Sequence, residues 1–215
     1  MFFLLMLMFS QPVNAETVDV AIDDKYICLD ATTKFEKEYE IKEHLLSTIS
    51  NIESGKWDAK LNRRTTWPWT INVRGKGMHF DSKEQAIAKV KELQAKGIKS
   101  IDIGCMQINM VYHKNAFESL EDAFDPYKNV EYGAKFLKNL HSKTKDDWMK
   151  AATNYHSKRP AKAKAYERKI NATYEEVKLS LNTKLFEGDN IQPGKNKLAK
   201  KSLKEKIANK FSFRF

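Results

Sequence analysis

Hydrophobic residues recur every three or four positions in several stretches of the chain, which is the spacing of an amphipathic helix. The clearest stretch covers residues 34–52 and is followed by Gly55, a residue that commonly ends helices. Its apolar stripe consists of Phe35, Tyr39, Ile41, Leu45, Leu46, Ile49 and Ile52. We therefore predict a single helix over residues 34–52.

The same spacing, together with capping signals, predicts four further helices. Ser82 begins one that ends near Gly97, and Asp125, which precedes a proline, begins the next. A third helix covers residues 146–155, and Thr173 begins the last one with a Thr-x-x-Glu capping box. These boundaries depend on local signals alone.

Two segments break the helical pattern. In WTINVRGKGMHF, residues 69–80, two short apolar segments flank Gly75-Lys76-Gly77, which is typical of a small β-hairpin. In SIDIGCMQIN, residues 100–109, a mixed apolar run predicts a short strand that leads into a loop or a helix start. Several helices around one hairpin indicate a mostly α-helical α+β domain.

The ends of the chain differ in composition from its middle. The first fifteen residues are almost uncharged and end in Val-x-Ala, a pattern of signal peptidase sites, so we expect residues 1–15 to be an export signal. An uncleaved anchor and a later start codon remain alternatives. Residues 16–186 form the predicted domain, since 41% hydrophobic content supplies a core for one domain of this length. Residues 187–215 form a linker and a basic tail.

The formal charge of +10 is concentrated in that tail, where residues 195–215 carry eight Lys or Arg against one acid. Leu203, Ile207 and Phe211 recur every four residues there, as in a basic amphipathic helix. Such a helix suits contact with an anionic membrane, an acidic wall polymer or a protein, although a solvated tail fits equally well. Nucleic acid is not an expected partner of an exported chain.

Two cysteines, Cys28 and Cys105, form a disulfide or remain as two buried thiols, and the sequence leaves both possibilities open. Neither has the spacing of a metal site, and the five histidines include no His-Glu-x-x-His pattern. We expect no metal and no cofactor.

Glu53 is an acid at a position where the charged carboxylate is disfavoured. It lies four residues after Ile49 and seven after Leu46, and therefore on the apolar side of the first predicted helix. An apolar surrounding and the negative end of a helix both favour the protonated form of a carboxyl group. Glu53 is thus a candidate general acid, unless it lies at the edge of the stripe and reaches water.

Three blocks and a later tyrosine occur in the order found in one enzyme family. Over residues 34–170 the chain resembles the soluble type of lytic transglycosylase, the SLT-domain type, whose fold is lysozyme-like. The residues that carry this resemblance are IESG at 52–55, GCMQIN at 104–109, ATNYHS at 152–157, and Tyr166. The resemblance implies peptidoglycan glycan strands as the substrate and the periplasm as the location.

Residue by residue, the resemblance makes Glu53 the single catalytic acid/base. It assigns seven further residues to the sugar cleft as substrate contacts: Ser54, Gly104, Met106, Gln107, Tyr155, His156 and Tyr166. His156 stands where the family usually has Asn. Residues 67–97 resemble an insertion, in which Trp67 and Trp69 form either a stacking wall for sugar rings or a satellite core.

The implied reaction cleaves the bond between N-acetylmuramic acid and N-acetylglucosamine and closes a 1,6-anhydro ring. Glycosidases that hydrolyse a bond ordinarily need two carboxylates, and Asp58 and Asp102 are the acids nearest to the motif residues. A hydrolytic muramidase is therefore an alternative if one of them reaches the cleft. A non-catalytic module that binds peptidoglycan is the other alternative.

Overall fold

The structure, a computed structural model, describes residues 23–187. This part contains helices α1 (Asp24–Glu38), α2 (Leu45–Ser54), α3 (Lys83–Ala95), α4 (Leu120–Ala123), α5 (Pro126–His141), α6 (Trp148–His156) and α7 (Pro160–Glu187). Its strands are β1 (Gly55–Asp58), β2 (Arg63–Thr66), β3 (Thr70–Val73), β4 (Lys76–His79), β5 (Asp102–Ile103) and β6 (Ile108–Asn109). The predicted mostly helical α+β fold is confirmed.

The expected signal peptide, residues 1–15, and the expected tail after residue 187 lie outside the described residues. In the described part, no helix has both the length and the apolar character needed to span a bilayer.

The main core is helical and is built by α1, α2, α5, α6 and α7. Its fully buried side chains come from each of these helices and include Ala31, Leu46, Ile49, Leu137, Ala151 and Ile170. A second, smaller core lies between α3 and the four-stranded sheet, and contains Ile71, Val90, Ile101, Ile103 and Phe124.

The predicted single helix over residues 34–52 is wrong, because the chain turns between α1 and α2. Glu40 and His44 adopt left-handed backbone angles, with φ of 51° and 64°. The buried carboxylate of Glu36 accepts hydrogen bonds from the backbone N–H groups of His44 and Ser47, both at 2.9 Å. It therefore caps α2 from within α1. Both helices bury their apolar residues in one core, which explains why the stripe looked continuous.

Burial raises the pKa of the Glu36 carboxyl group, and the hydrogen bonds from backbone N–H groups act against this rise. The cap is thus a buried acid whose charge is offset mainly by peptide dipoles.

The last helix begins at Pro160, not at Thr173 as predicted. Proline suits the first position of a helix because its missing N–H would have no partner there. The buried residues Tyr166, Ile170 and Val177 follow at helical spacing, but exposed basic residues surround the first two and weaken the apolar pattern. The Thr-x-x-Glu box at Thr173 consequently lies inside α7.

The other predicted starts agree with the structure. The Ser82 hydroxyl caps α3 by accepting from the N–H of Gln85, and the Asp125 carboxylate caps α5 in the same way through Lys128. Asp147 caps α6, within the predicted range 146–155.

The predicted hairpin is present as β3 and β4, joined by a two-residue turn at Arg74 and Gly75. Both turn residues have positive φ, 52° and 83°, as a type I′ turn requires. The strands are ordered β4-β3-β5-β6, with Ile71 paired to Ile103 and Asn72 to Asp102. A second hairpin, β1 with β2, follows α2 directly and has Gly55 opposite Thr66.

The loop at residues 104–107 joins β5 to β6 and is held by the side chain of Asn129 in α5. The Asn129 amide accepts from Met106 N at 2.8 Å and donates to the carbonyl groups of Ile103 and Ala123 at 3.0 and 2.9 Å. Gly104 has φ of 81°, and a Cβ there would lie 2.5 Å from Asn129 Nδ2. Only glycine fits between the loop and this amide.

Two more contacts connect the same loop to the helical core. Cys105 forms a disulfide with Cys28 of α1, and its carbonyl group accepts from the Ser50 hydroxyl of α2 at 3.0 Å. All three side chains are fully buried. The loop is therefore fixed to α1, α2 and α5 at once.

We expect Asn129→Leu to lower the free energy of unfolding by about 3 kcal/mol or more, because one backbone N–H and two carbonyl groups lose their buried partner. Urea denaturation would measure this loss. Asn139→Leu makes the same substitution on an exposed position of α5 and should change the free energy of unfolding by less than about 0.5 kcal/mol. Equal effects of the two substitutions would contradict the bridging role of Asn129.

We expect Cys28→Ser/Cys105→Ser to lower the free energy of unfolding by up to about 4 kcal/mol, because the bond closes a loop between residues 77 positions apart. Urea titrations with and without a thiol reductant would measure the loss. The reduced parent protein should match the double variant, and the variant should not respond to reductant. A parent protein that does not respond to reductant would argue against the disulfide.

Candidate active site

Glu53 lies in the last turn of α2, where the chain leaves the main core and enters β1. Its side chain is 17% exposed. The neighbouring Ile52 packs inward, and Gly55 allows a close exit from the helix, since a Cβ at Gly55 would lie 2.2 Å from the Asn51 carbonyl oxygen. The carboxylate is therefore held at the surface of the core, as its place in the sequence predicted.

Two aromatic side chains contact one oxygen of this carboxylate. The Tyr166 hydroxyl donates a hydrogen bond to Glu53 Oε1 at 2.7 Å, and His156 Nδ1 lies 3.7 Å from the same oxygen. The His156 ring stacks on Tyr166 with 4.5 Å between centroids and 2° between planes. Burial raises the pKa of Tyr166 well above its usual value, and the charge of Glu53 adds to the rise. Tyr166 thus stays a neutral donor near neutral pH.

Glu53 opens onto a cavity of about 600 Å³, a volume typical of ligand sites. Residues from the sheet, the segment after β6, α5, α6 and the start of α7 form its wall. They are Asn72, Gly75, Asp102, Gln107, Ile108, Asn109, Tyr112, His113, Phe136, Tyr155, His156, Ser157, Arg159 and Lys162.

Gln107 is the polar residue of the 104–107 loop that faces this cavity. It has a left-handed backbone, with φ of 49°, and its Nε2 donates to the carbonyl groups of Thr70 and Gly104 at 3.1 and 2.9 Å. Its Oε1 is buried and has no partner among the described residues. Gln107 thus lines the cavity wall and carries a buried acceptor that no described residue satisfies.

Tyr155 supports the same wall from α6. Its hydroxyl donates to the Met106 carbonyl oxygen at 3.0 Å, and its ring packs against Phe136. Burial raises the pKa of Tyr155 well above its usual value, with a further contribution from the charge of Glu53. The phenol is therefore neutral and positions the 104–107 loop.

Of the residues expected in the sugar cleft, three line the cavity together with Glu53, namely Gln107, Tyr155 and His156. Tyr166 lines a second cavity, which Glu53 also lines. Ser54, Gly104 and Met106 are buried and line neither of these cavities.

The three buried residues contact the interior of the protein. The Ser54 hydroxyl donates to the Ser50 carbonyl group, and Met106 packs closely against Gly133 of α5. Gly104 leaves room for the Asn129 amide. Their side chains, or the space where one would stand, face the core, so the structure does not bring these three expected substrate contacts to the cavity surface.

Asp102 lines the same cavity as Glu53, so a second carboxylate is present. Burial raises the pKa of Asp102 and the charge of Glu53 adds to the rise, whereas the hydrogen bond from Asn109 Nδ2 at 2.7 Å acts against it. Asp58 does not line the cavity. It accepts from the N–H groups of Lys60 and Leu61 at the tip of the β1–β2 hairpin.

Trp67 and Trp69 do not line the cavity either, and both pack into the second core. Trp69 Nε1 donates to Asp24, and Trp67 Nε1 donates to the Phe80 carbonyl group. Of the two readings of these tryptophans, the structure supports a satellite core.

The sequence did not point to several residues of the wall. Asn72, Asn109 and Tyr112 reach the cavity because β3, β5 and β6 pair side by side, a long-range arrangement. Arg159 and Lys162 also line the cavity. The sequence did not indicate this, because α7 begins thirteen residues earlier than predicted. The basic run around Pro160 was the one local signal available for the last two.

The second cavity has a volume of about 320 Å³. It shares Glu53, His156 and Lys162 with the first, and its other lining residues are Ile52, Ala165, Tyr166 and Lys169. Within residues 23–187, no group of three or more His, Cys, Asp or Glu side chains has a geometry that holds a metal ion.

Comparison with protein families agrees with this geometry. The family model described as Transglycosylase SLT domain matches residues 30–177, which include α2, the 104–107 loop, α6 and most of α7. Neither the curated proteins nor the solved structures provide a match. The helical fold around a small sheet is the lysozyme-like α+β fold of that family. The match covers well over half of the chain, and the chain therefore belongs to the transglycosylase SLT domain family.

Proposed function

We propose that this chain is a lytic transglycosylase that cleaves the N-acetylmuramic acid-β-1,4-N-acetylglucosamine bond and forms a 1,6-anhydro product. Its family acts on peptidoglycan. The observation that carries the proposal is the setting of Glu53. Tyr166 donates to its Oε1, while Oε2 has no hydrogen-bond partner within residues 23–187 and the side chain borders the 600 Å³ cavity.

The first step uses Glu53 as the acid. Its proton passes to the bridging oxygen, which becomes the 4-hydroxyl group of the departing N-acetylglucosamine, and the bond from that oxygen to C1 breaks. The 2-acetamido oxygen of the muramyl residue stabilises the cation that develops at C1. The Tyr166 hydrogen bond stabilises the carboxylate that remains on Glu53.

The second step uses the same carboxylate as the base. Glu53 takes the proton of the muramyl 6-hydroxyl group while O6 bonds to C1 and displaces the acetamido oxygen. The anhydro ring closes, and Glu53 ends the cycle protonated, as it began. Water takes no part, so the reaction needs one acid/base residue, in contrast to the two carboxylates of ordinary glycosidases.

The cavity wall supplies groups for holding the sugars. Gln107 lines the wall with an amide whose Oε1 has no partner among the described residues and would accept from a hydroxyl or acetamido N–H after a small side-chain rotation. The aromatic ring of Tyr112, which is 82% exposed at the cavity, offers a face for a sugar ring. Polar groups of this kind fix the orientation of the bond relative to Glu53.

We propose that the enzyme is exported to the periplasm after removal of residues 1–15, and that residues 16–186 form the catalytic domain. The buried Cys28–Cys105 disulfide supports an oxidising compartment. For the basic tail, residues 195–215, we propose contact with an anionic membrane, a wall polymer or a protein.

A hydrolytic muramidase is the second candidate function, because Asp102 lines the cavity together with Glu53. To activate water, Asp102 would need a free carboxylate oxygen that faces the sugar. Its Oδ1 already accepts from the Asn109 amide, which leaves one oxygen for this role and favours the transglycosylase. A non-catalytic binding module would hold the same glycan without turnover.

We expect Glu53→Gln to reduce the rate of muropeptide release from sacculi by about 10²- to 10⁴-fold, because the amide neither gives nor takes the required proton. Liquid chromatography with mass spectrometry would measure release, and thermal unfolding would show that the variant is folded. Glu167→Gln, on an exposed position of α7, should keep the parent rate. Turnover by Glu53→Gln within tenfold of the parent rate would contradict the catalytic role.

We expect Asp102→Asn to keep anhydromuropeptides as the main products, with a rate within about tenfold of the parent, because water activation is not part of the reaction. Digestion in ¹⁸O-labelled water distinguishes the two functions, since only hydrolysis introduces the label at C1. Asp81→Asn, on an exposed position before α3, is the matched control. Labelled reducing ends that disappear in Asp102→Asn would favour the muramidase.

A further inference from the structure

The second cavity beside Glu53 combines an apolar floor with cationic side chains at its rim. Ile52, Ala165 and Tyr166 supply the apolar surface. Lys162 and Lys169 are seven residues apart on α7, two helical turns, and therefore lie on the same face of that helix. Arg159, just before α7, extends the cationic rim into the first cavity.

Among the described residues, these three cations have no acidic partner. Within residues 23–187, none of them lies within 4 Å of a carboxylate oxygen, whereas Lys128 pairs with Asp122 and Lys135 with Glu131. Two carboxylates line the same cavities, Glu53 both of them and Asp102 the first. The positive charge of the rim is therefore available to a ligand.

The helix gains nothing from these charges. The N-terminus of a helix carries partial positive charge, and acids in the first turn stabilise it. The first turn of α7 has no acid, and instead Arg159 and Lys162 stand at its start. At Arg159 and Lys162 this arrangement opposes the helix dipole, and an anion bound outside the helix would offset it.

The substrate of the proposed function carries its negative charge on the lactyl arm of each muramyl residue. The sugar rings of the glycan are uncharged, but the lactyl group of each muramyl residue ends in a carboxylate or bears a peptide stem with methyl groups and carboxylates of its own. We propose that Lys162 and Lys169, with Arg159 at the rim, form a carboxylate-binding subsite that holds this acidic arm beside Glu53. The subsite rests on the proposed function and names the part of the substrate that sets its specificity.

The lactyl group and the peptide stem both present a carboxylate close to methyl groups. Lysine ammonium groups bind the charge, and the surface of Ile52 and Ala165 covers the methyl groups. The lactyl carboxylate of a peptide-free strand and the carboxylates of a peptide stem are the two sources, and three substrates distinguish them.

The test compares kcat/KM for peptide-bearing strands, for the same strands with their carboxylates converted to methylamides, and for strands freed of peptide. We expect the parent protein to prefer the first over the second by about three- to tenfold, which is the effect of two partly exposed charge pairs. Lys162→Met/Lys169→Met should lose this preference, since Met keeps the apolar stem without the charge. The matched control, Lys164→Met/Arg168→Met, alters exposed α7 residues that line neither cavity and should keep it.

The strands freed of peptide show which carboxylate the subsite binds. If they are processed as poorly as the methylamide strands, the stem is the ligand, and if they match the peptide-bearing strands, the lactyl carboxylate suffices. A Lys162→Met/Lys169→Met variant that keeps the parent preference would overturn the subsite.

Binding measured by fluorescence anisotropy in the Glu53→Gln background separates this inference from the proposed function. If the parent protein turns over none of the strands, the proposed function is wrong. The subsite is still supported if Lys162→Met/Lys169→Met weakens the binding of carboxylate strands but not that of methylamide strands. Equal affinity for carboxylate and methylamide strands would overturn the subsite even if turnover is normal.

Discussion

The buried side chain of Asn129 is the interaction on which the cleft depends. One amide group satisfies Met106 N, the Ile103 carbonyl and the Ala123 carbonyl, and so ties α5 to the end of α4 and to the loop that follows β5. A polar group without partners is costly in a core, and three partners make this one favourable. The loop then has one conformation, in which Gln107 faces the cavity and Met106 faces the core.

The remaining contacts of the site extend from that loop. The Tyr155 hydroxyl donates to the Met106 carbonyl oxygen of the loop, and the Ser50 hydroxyl donates to the Cys105 carbonyl oxygen. The disulfide fixes the loop to α1. Tyr166 comes from α7 and holds Glu53 at the end of α2. Five helices, α1, α2, α5, α6 and α7, thus determine the positions of the Glu53 carboxylate and the Gln107 amide.

Local signals in the sequence predicted the hairpin, the caps at Ser82 and Asp125, and the place of Glu53 at a helix end. They could not predict the break between α1 and α2, because the cap comes from Glu36, eight residues before His44. Motif resemblance singled out Gln107, Tyr155 and Tyr166, which the structure places around Glu53, but whether a motif side chain faces the cavity or the core is decided by packing. Asp102 in the cavity depends on the pairing of β3 with β5, which no local pattern encodes.

The three-way hold on the 104–107 loop also determines how the cleft can move. Its inner wall shares hydrogen bonds and a disulfide with the main core, so we expect this wall to open less readily than the rim. The rim is different, since Tyr112 is 82% exposed and the start of α7 carries only exposed side chains at Arg159 and Lys162. Adjustment to a bound ligand is therefore expected of the rim side chains, which change rotamer within nanoseconds, while Glu53 and Gln107 keep their places.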